Sequence, residues 1–388
     1  MVLRNGSAWL FAALALIFAA PAFYPQSAPA RVLRIQLAQY DWVQPPKYWN
    51  SEHVRTQQNR LTIDSQGRVL VSFTERGPSD EFAAQGHPSL RFRILRFDAD
   101  GKLDLSLSLP TDNWWGNGIF LDPQGRIIAI TDEKVQMSQL PVESGDQVAW
   151  KVLTVCGTNC KAYQSVDRRT LLLSVTVFNY SAFTFAIDGT VTQCAGAAPF
   201  GPPDGISEHF MYRQDIGVPP QPLLVLSRQS ICHPGQPVAL PIRTQAGGMV
   251  LPLNDNLYRF RQAIYRDDGT LVQKLNLHFA KDEADDSSGI VGVSQNLRRF
   301  IVLAVTKKGR HEWLDMPGHV TAERAFVYDA VTNQEIGSLP FPISGYAWEQ
   351  QFAISPSGDR YAVFTNGLLL IADVPPAAAP SATKSAGP

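Results

Sequence analysis

The chain has little of what usually gives a protein's purpose away. Charge of one sign is missing: among 388 residues, 34 Lys and Arg stand against 35 Asp and Glu, a formal net charge of −1. That balance argues against nucleic acid or an anionic membrane surface as a partner held by bulk electrostatics. Beyond the N-terminal segment no run approaches 18 consecutive apolar residues, so no spanning helix is expected in the mature protein. Long stretches of 3.6-residue apolar periodicity are missing too, which argues against a helical protein. GxSxG, the P-loop, a GxGxxG that opens a helix, HExxH and CxxCH do not occur. Their absence removes the ready-made signatures of serine hydrolysis, nucleotide binding, zinc proteolysis and covalent haem. No catalytic residue and no metal-ligand set is assigned.

What remains can build a large core. The chain is 45% hydrophobic, and its 28 Gly and 28 Pro make turns dense. The N-terminus reads as a targeting segment. Arg4 gives a positive start, and Ala8 to Ala20 is a 13-residue apolar run, shorter than the ~20 residues that span a bilayer. Small-x-small sites follow, so residues 1–30 are expected to be a signal peptide cleaved after Ala22 or Ala30, the alternative being a retained anchor. Val374 to Pro388 is Pro/Ala/Ser-rich and is expected to be a disordered tail. Export places the chain in the periplasm or outside the cell. There Cys156, Cys160, Cys194 and Cys232 are expected as disulfides, most cheaply Cys156 with Cys160 and Cys194 with Cys232. A four-Cys zinc site lacks any CxxC pair.

The body reads as strands of four to eight residues, rich in Val, Ile, Leu, Phe and Thr, set off by Asp/Gly turns. Two turn types recur. One is a strand, then Asp-x-x-Gly-Arg or a variant, then a strand: LTIDSQGRVLVSF from Leu61, IFLDPQGRIIAIT from Ile119 and FAISPSGDRYAVF from Phe352. Degenerate copies begin at Gln164 and Val291. The other is an aromatic strand, an Asp-Gly turn and an alternating strand, as in FRILRFDADGKLDLSLSL from Phe92, which superposes without a gap on FRQAIYRDDGTLVQKLNL from Phe260. Gly reaches positive φ without steric cost and Asp bonds the turn backbone, which twisted hairpins require.

One turn of each kind makes a four-stranded antiparallel unit, and repetition every 40 to 60 residues points to a β-propeller. The pattern resembles bacterial propeller repeats of the YVTN and NHL kind and, more loosely, WD repeats, over about Leu33 to Asp373. The expected fold is all-β: a single six-bladed propeller, alternatively seven-bladed, over 31–373, closed by an N-terminal strand. The last unit, 347–373, supplies three strands, and Val32 to Gln39 can supply the fourth. A two-domain sandwich is the competing architecture.

Propeller topology places the a–b and c–d turns on one face and the b–c and d–a connections on the other. The second set contains the long loops, where binding surfaces are usually built. Trp42, Trp49, Trp114, Trp115 and Trp313 fall there, as do all the histidines. A tryptophan in a loop exposes much apolar area unless it packs or binds. Candidate ligand-binding residues are therefore Trp42, Trp49, Trp114, Trp115, Asn117, His209 and Trp313, for a protein, peptide or glycan. The alternative is a metal-dependent hydrolase or lactonase with a cation at the central channel, near Asn117, His209 and Glu349, a reading that rests on architecture alone. A quinone-dependent dehydrogenase lacks its repeated Trp motif. No cofactor is expected, although the carboxylates of Lys281 to Gly289 could hold Ca²⁺ if that loop is not simply solvated.

Overall fold

The computed structural model describes residues 28–42, 60–76, 90–111, 118–131, 134–143, 148–155, 161–174, 179–186, 188–197, 249–252, 257–260, 262–266, 270–280, 289–308, 319–342 and 350–376, with Glu283 and the short strands at 212–213, 221–222 and 242–243. Among them there is no α-helix, and therefore none long and apolar enough to cross a membrane.

The chain opens with β1 (Arg31–Gln36) and a 3-10 turn (Leu37–Tyr40). The first sheet is β2 (Leu61–Ile63), β3 (Val69–Arg76), β4 (Leu90–Phe97) and β5 (Leu103–Thr111); the second is β6 (Gly118–Leu121), β7 (Ile127–Thr131), β8 (Lys134–Ser138) and β9 (Trp150–Val155). The third is β10 (Lys161–Gln164), β11 (Thr170–Ser174), β12 (Asn179–Phe185) and β13 (Val191–Ala197). A two-stranded ladder, β14 (Tyr212–Arg213) and β15 (Gln221–Pro222), precedes a fourth, five-stranded sheet: β16 (Ile242–Arg243), β17 (Met249–Pro252), β18 (Leu257–Phe260), β19 (Ala263–Arg266) and β20 (Leu271–Lys274). The fifth is β21 (Gly289–Val293), β22 (Arg299–Lys308), β23 (His319–Asp329) and β24 (Gln334–Phe341). The last holds β25 (Gln351–Ile354), β26 (Arg360–Thr365) and β27 (Leu368–Asp373), with β1 as its fourth strand. Each sheet is antiparallel, its strands in sequence order apart from β1, and this architecture is compatible with a β-propeller.

Strand alternation explains how the sheets stack. Leu70 faces a core with Phe92, Ile94, Ile119 and Ala129 of the first and second sheets. Val71 and Phe73, one residue out of phase, face a core with Phe364, Leu369 and Ile371 of the last. Ile128 and Ile130 pack on Leu171 and Phe183 of the third sheet, and Ile301 and Val327 of the fifth pack on Tyr361 and Leu370. A strand covered on both faces reads as a continuous apolar run, which is why all five residues of Ile127–Thr131 are buried.

Five sheets share one turn between their first two strands: residues 64–68, 122–126, 165–169, 294–298 and 355–359. In each, the N–H of the fourth residue donates to the carbonyl of the first, at 2.9 to 3.2 Å. That fourth residue has positive φ throughout: Gly67, Gly125 and Gly358, but also Arg168 and Leu297. In the first two copies the Asp carboxylate organises the turn. Asp64 Oδ1 accepts the N–H groups of Gln66 and Arg68, and Asp122 Oδ1 those of Gln124 and Arg126.

Two expectations need correction. The apolar run Val32–Gln39 is strand only to Gln36, because Leu37 turns wholly into the core and Asp41 adopts φ 65. The gapless match of Phe260–Leu277 to Phe92–Leu109 does not carry over to the fold. Phe92 and Phe97 share one strand, whereas Phe260 ends β18 and pairs with Ala263 across a hairpin. A single strand there would put Gln262 on the same face as Phe260 and Ile264, and the hairpin avoids that. The c–d connection of the second sheet spans 139–149, and the Arg96 guanidinium donates to the carbonyls of its Val142 and Glu143.

Candidate functional site

Of the ligand-binding candidates, Trp42 lies among the described residues. Trp49, Trp114, Trp115, Asn117, His209 and Trp313 lie outside them, as do Cys156, Cys160 and Cys232. Cys194 sits on β13 opposite Ala182.

Trp42 is half-buried against the core between the first and last sheets. Its ring lies over the Asn366–Gly367 turn so closely that a Cβ on Gly367 would come 2.4 Å from Trp42 Cε3. Both turn residues have positive φ, at 47° and 72°, as a two-residue hairpin between twisted strands requires. This ring is used in packing: it covers the end of a sheet.

Beside it lies a charged group that sequence reasoning missed. Glu75 continues the Val71–Phe73 stripe of β3 and is buried, 5% exposed, at the top of an otherwise apolar core. Arg93 Nε lies 3.5 Å from Glu75 Oε2, and Arg93 Nη2 lies 3.8 Å from Asp41 Oδ2. Neither the Oε2 nor the Nε atom has a well-formed hydrogen bond. Burial raises the Glu75 pKa and outweighs the lowering by Arg93, while Asp41 raises it further and Arg91 opposes. The one sequence signal was polarity breaking an alternating apolar strand.

The sign of the pH dependence follows. A carboxyl that holds its proton more tightly when folded contributes stability below its unfolded pKa and loses it as pH rises through the folded value. Glu75→Gln is therefore expected to stabilise the protein at pH 7, with the advantage vanishing below about pH 4. Urea melts at both pH values check this; a less stable variant at pH 7 would mean that the Arg93 pair outweighs burial.

The acidic loop has a structural tie. Glu283 makes a bidentate pair with Arg324, at 2.6 Å to Nε and 3.2 Å to Nη2, and Arg324 also pairs with Glu335 and stacks over Phe326 at 4.6 Å. One carboxylate of the 281–289 stretch is thus already matched by a guanidinium. Among the described residues no three His, Cys, Asp or Glu side chains converge to hold a metal.

At the opposite end of the sheets, arginines of the five-residue turns and their following strands fasten neighbours. Arg299 Nη1 donates to Gly358 O at 2.9 Å, Arg360 Nη1 to Gly67 O at 3.0 Å, and Arg126 Nη2 to Gly189 O at 3.0 Å. Each guanidinium is oriented by a carboxylate: Asp329, Asp373 and Asp122, respectively. The Arg360 bond joins the last sheet to the first.

No family model matches the chain, and no curated protein matches it. Among solved structures, it aligns with the mitotic checkpoint complex at 10% identity over 90% of this chain and 95% of that one, TM-score 0.33. It also aligns with a fungal alcohol oxidase of the AA5 family in complex with copper, at 11% identity over 82% and 75%, TM-score 0.41. The fold argument rests on the sheets themselves.

Proposed function

We propose that the chain is an exported six-bladed β-propeller scaffold that binds a protein, peptide or glycan through its long-loop face. The observation that supports it best is that the last sheet shares a core with the first as well as with the fifth, as a closed ring would require. The last sheet packs on the fifth through Tyr361 and Leu370 and on the first through Phe364 and Ile371, while β1 supplies its outer strand. Such a ring is rigid and leaves its outer strands as short edges. Export agrees with where β1 begins: cleavage after Ala22 or after Ala30 leaves Arg31–Gln36 intact to pair with β27.

The test uses the mature chain on glycan and peptide arrays, beside a variant carrying Trp114→Ala and Trp115→Ala. The reading expects discrete hits that the variant loses while its melting temperature is kept. No hits, or hits unchanged in the variant, would overturn it.

A further inference from the structure

Of the two side chains held at positive φ in the five-residue turns, one is accounted for by packing. Leu297 joins the apolar cluster of the fourth and fifth sheets, with Phe300 and Ile264. Arg168 is not. Its backbone sits at φ 64, where three of the five copies have Gly and where any side chain is disfavoured. Its neighbour Val166 packs into that same fourth-and-fifth-sheet cluster, so the turn reaches away from its own sheet.

The guanidinium reaches the other way. Nη2 donates to the Ile63 carbonyl, on the inner edge of the first sheet. Among the described residues this is its one hydrogen bond, leaving Nε and Nη1 without partners. The residue remains partly open to solvent, yet protein surrounds the guanidinium. Burial lowers its pKa to about 10, opposed by Asp64 and Asp122.

The nearby carboxylates are already matched. Asp64 Oδ2 accepts from Arg68 Nε at 2.6 Å, and Asp122 Oδ2 from Arg126 Nε at 2.5 Å. Asp167, next in the chain, accepts from the Ser165 hydroxyl at 2.5 Å and the Arg169 N–H at 3.1 Å. No described carboxylate lies within ion-pair distance of Arg168. Among the described residues, the site where the turns of the first three sheets meet therefore carries a positive charge with no carboxylate paired to it, and four of the five guanidinium N–H groups have no partner. The second N–H of Nη2, beside Nη1 or beside Nε, completes a planar fork that suits a two-oxygen acceptor.

We propose that Arg168 anchors a small oxyanion, a carboxylate or a phosphate, where the turns of the first three sheets converge. This site lies at the short-turn end, remote from the long-loop face, and depends neither on what that face binds nor on the number of blades.

The experiment is thermal melting of the mature chain in sodium phosphate, in sodium acetate, and in sodium chloride at matched ionic strength, for the natural chain and for Arg168→Gly. Glycine is already the residue of three equivalent turns, so the variant is expected to fold and melt cooperatively. The natural chain should show a saturable rise of about 2 °C at tenfold the apparent Kd, beyond the chloride control, and the variant none. A response to phosphate alone assigns a phosphoryl ligand; a response to acetate alone assigns a carboxylate. No saturable rise with either anion, or an equal rise in Arg168→Gly, overturns the site. Arg168→Lys, which keeps the charge but loses the fork, should retain a weaker response, and an undiminished one would overturn the bidentate geometry.

Discussion

Deleting Arg31–Gln36 is expected to destabilise the protein as a whole, by roughly 5 kcal/mol or more, in a single cooperative transition. The strand pairs residue for residue with β27, from Arg31 opposite Asp373 to Gln36 opposite Leu368. It carries Ile35 into the core between the first and last sheets and packs Leu33 so close to the Gly101 turn of the first sheet that a Cβ on Gly101 would come 3.0 Å from Leu33 Cδ1. Arg31 also pairs with Asp100 at 3.1 Å, but both groups are exposed and this contributes little. Without the strand, β27 becomes a bare apolar edge, and the core between the first and last sheets loses one wall. Urea melting followed by fluorescence and by circular dichroism checks the result. If the midpoint is unchanged, β1 does not close the ring. Should the deleted chain fail to fold, the point variant Ile35→Ala, with an expected loss of about 2–5 kcal/mol, carries the same test.

Arg324→Ala is expected to cost about 3–5 kcal/mol at neutral pH, because it strands two carboxylates beside each other in a nearly dry site. Glu283 is buried, and Glu335 is already pushed upward by burial despite Arg324 beside it. The loss should shrink as pH falls. With no cation beside it, Glu335 holds its proton more tightly in the folded state than in the unfolded one, so acid restores stability. Arg324→Met, which keeps bulk over Phe326, should lose stability at pH 7 as well, since the carboxylates rather than the void dominate. Urea melts at pH 7 and near pH 5 distinguish the cases: a penalty independent of pH would assign the loss to packing.

Much of the architecture could be read before any coordinates, for a local reason. Asp64-Ser-Gln-Gly67-Arg68 and Asp122-Pro-Gln-Gly125-Arg126 specify their turns chemically, through an Asp that bonds the backbone and a Gly that takes positive φ. The copies at 165–169 and 294–298 were legible only by alignment with these, since Arg168 and Leu297 carry no glycine signal. Their shared geometry is held by the strands on either side. The mismatch at Phe260 has the opposite cause: two segments that align around the same Asp-Gly turn differ in where a polar residue falls in the alternation, and tertiary burial decides. The Glu75–Arg93–Asp41 group was illegible because residues from distant stretches of chain assemble it. So was the role of Trp42, whose place over Gly367 depends on the first and last sheets meeting. The remaining aromatic candidates lie in the long connections, where no strand periodicity constrains the chain.

The pairing of β1 with β27 sets a clock on folding. About 340 residues separate the two partners, so a ribosome must make all of that intervening chain before the register Leu33–Ile371 can form. The sheets in between can assemble as they emerge, but the one that takes in β1 waits until β27 has been made. Until then β1 has no partner strand, and a chaperone can hold the chain in that state.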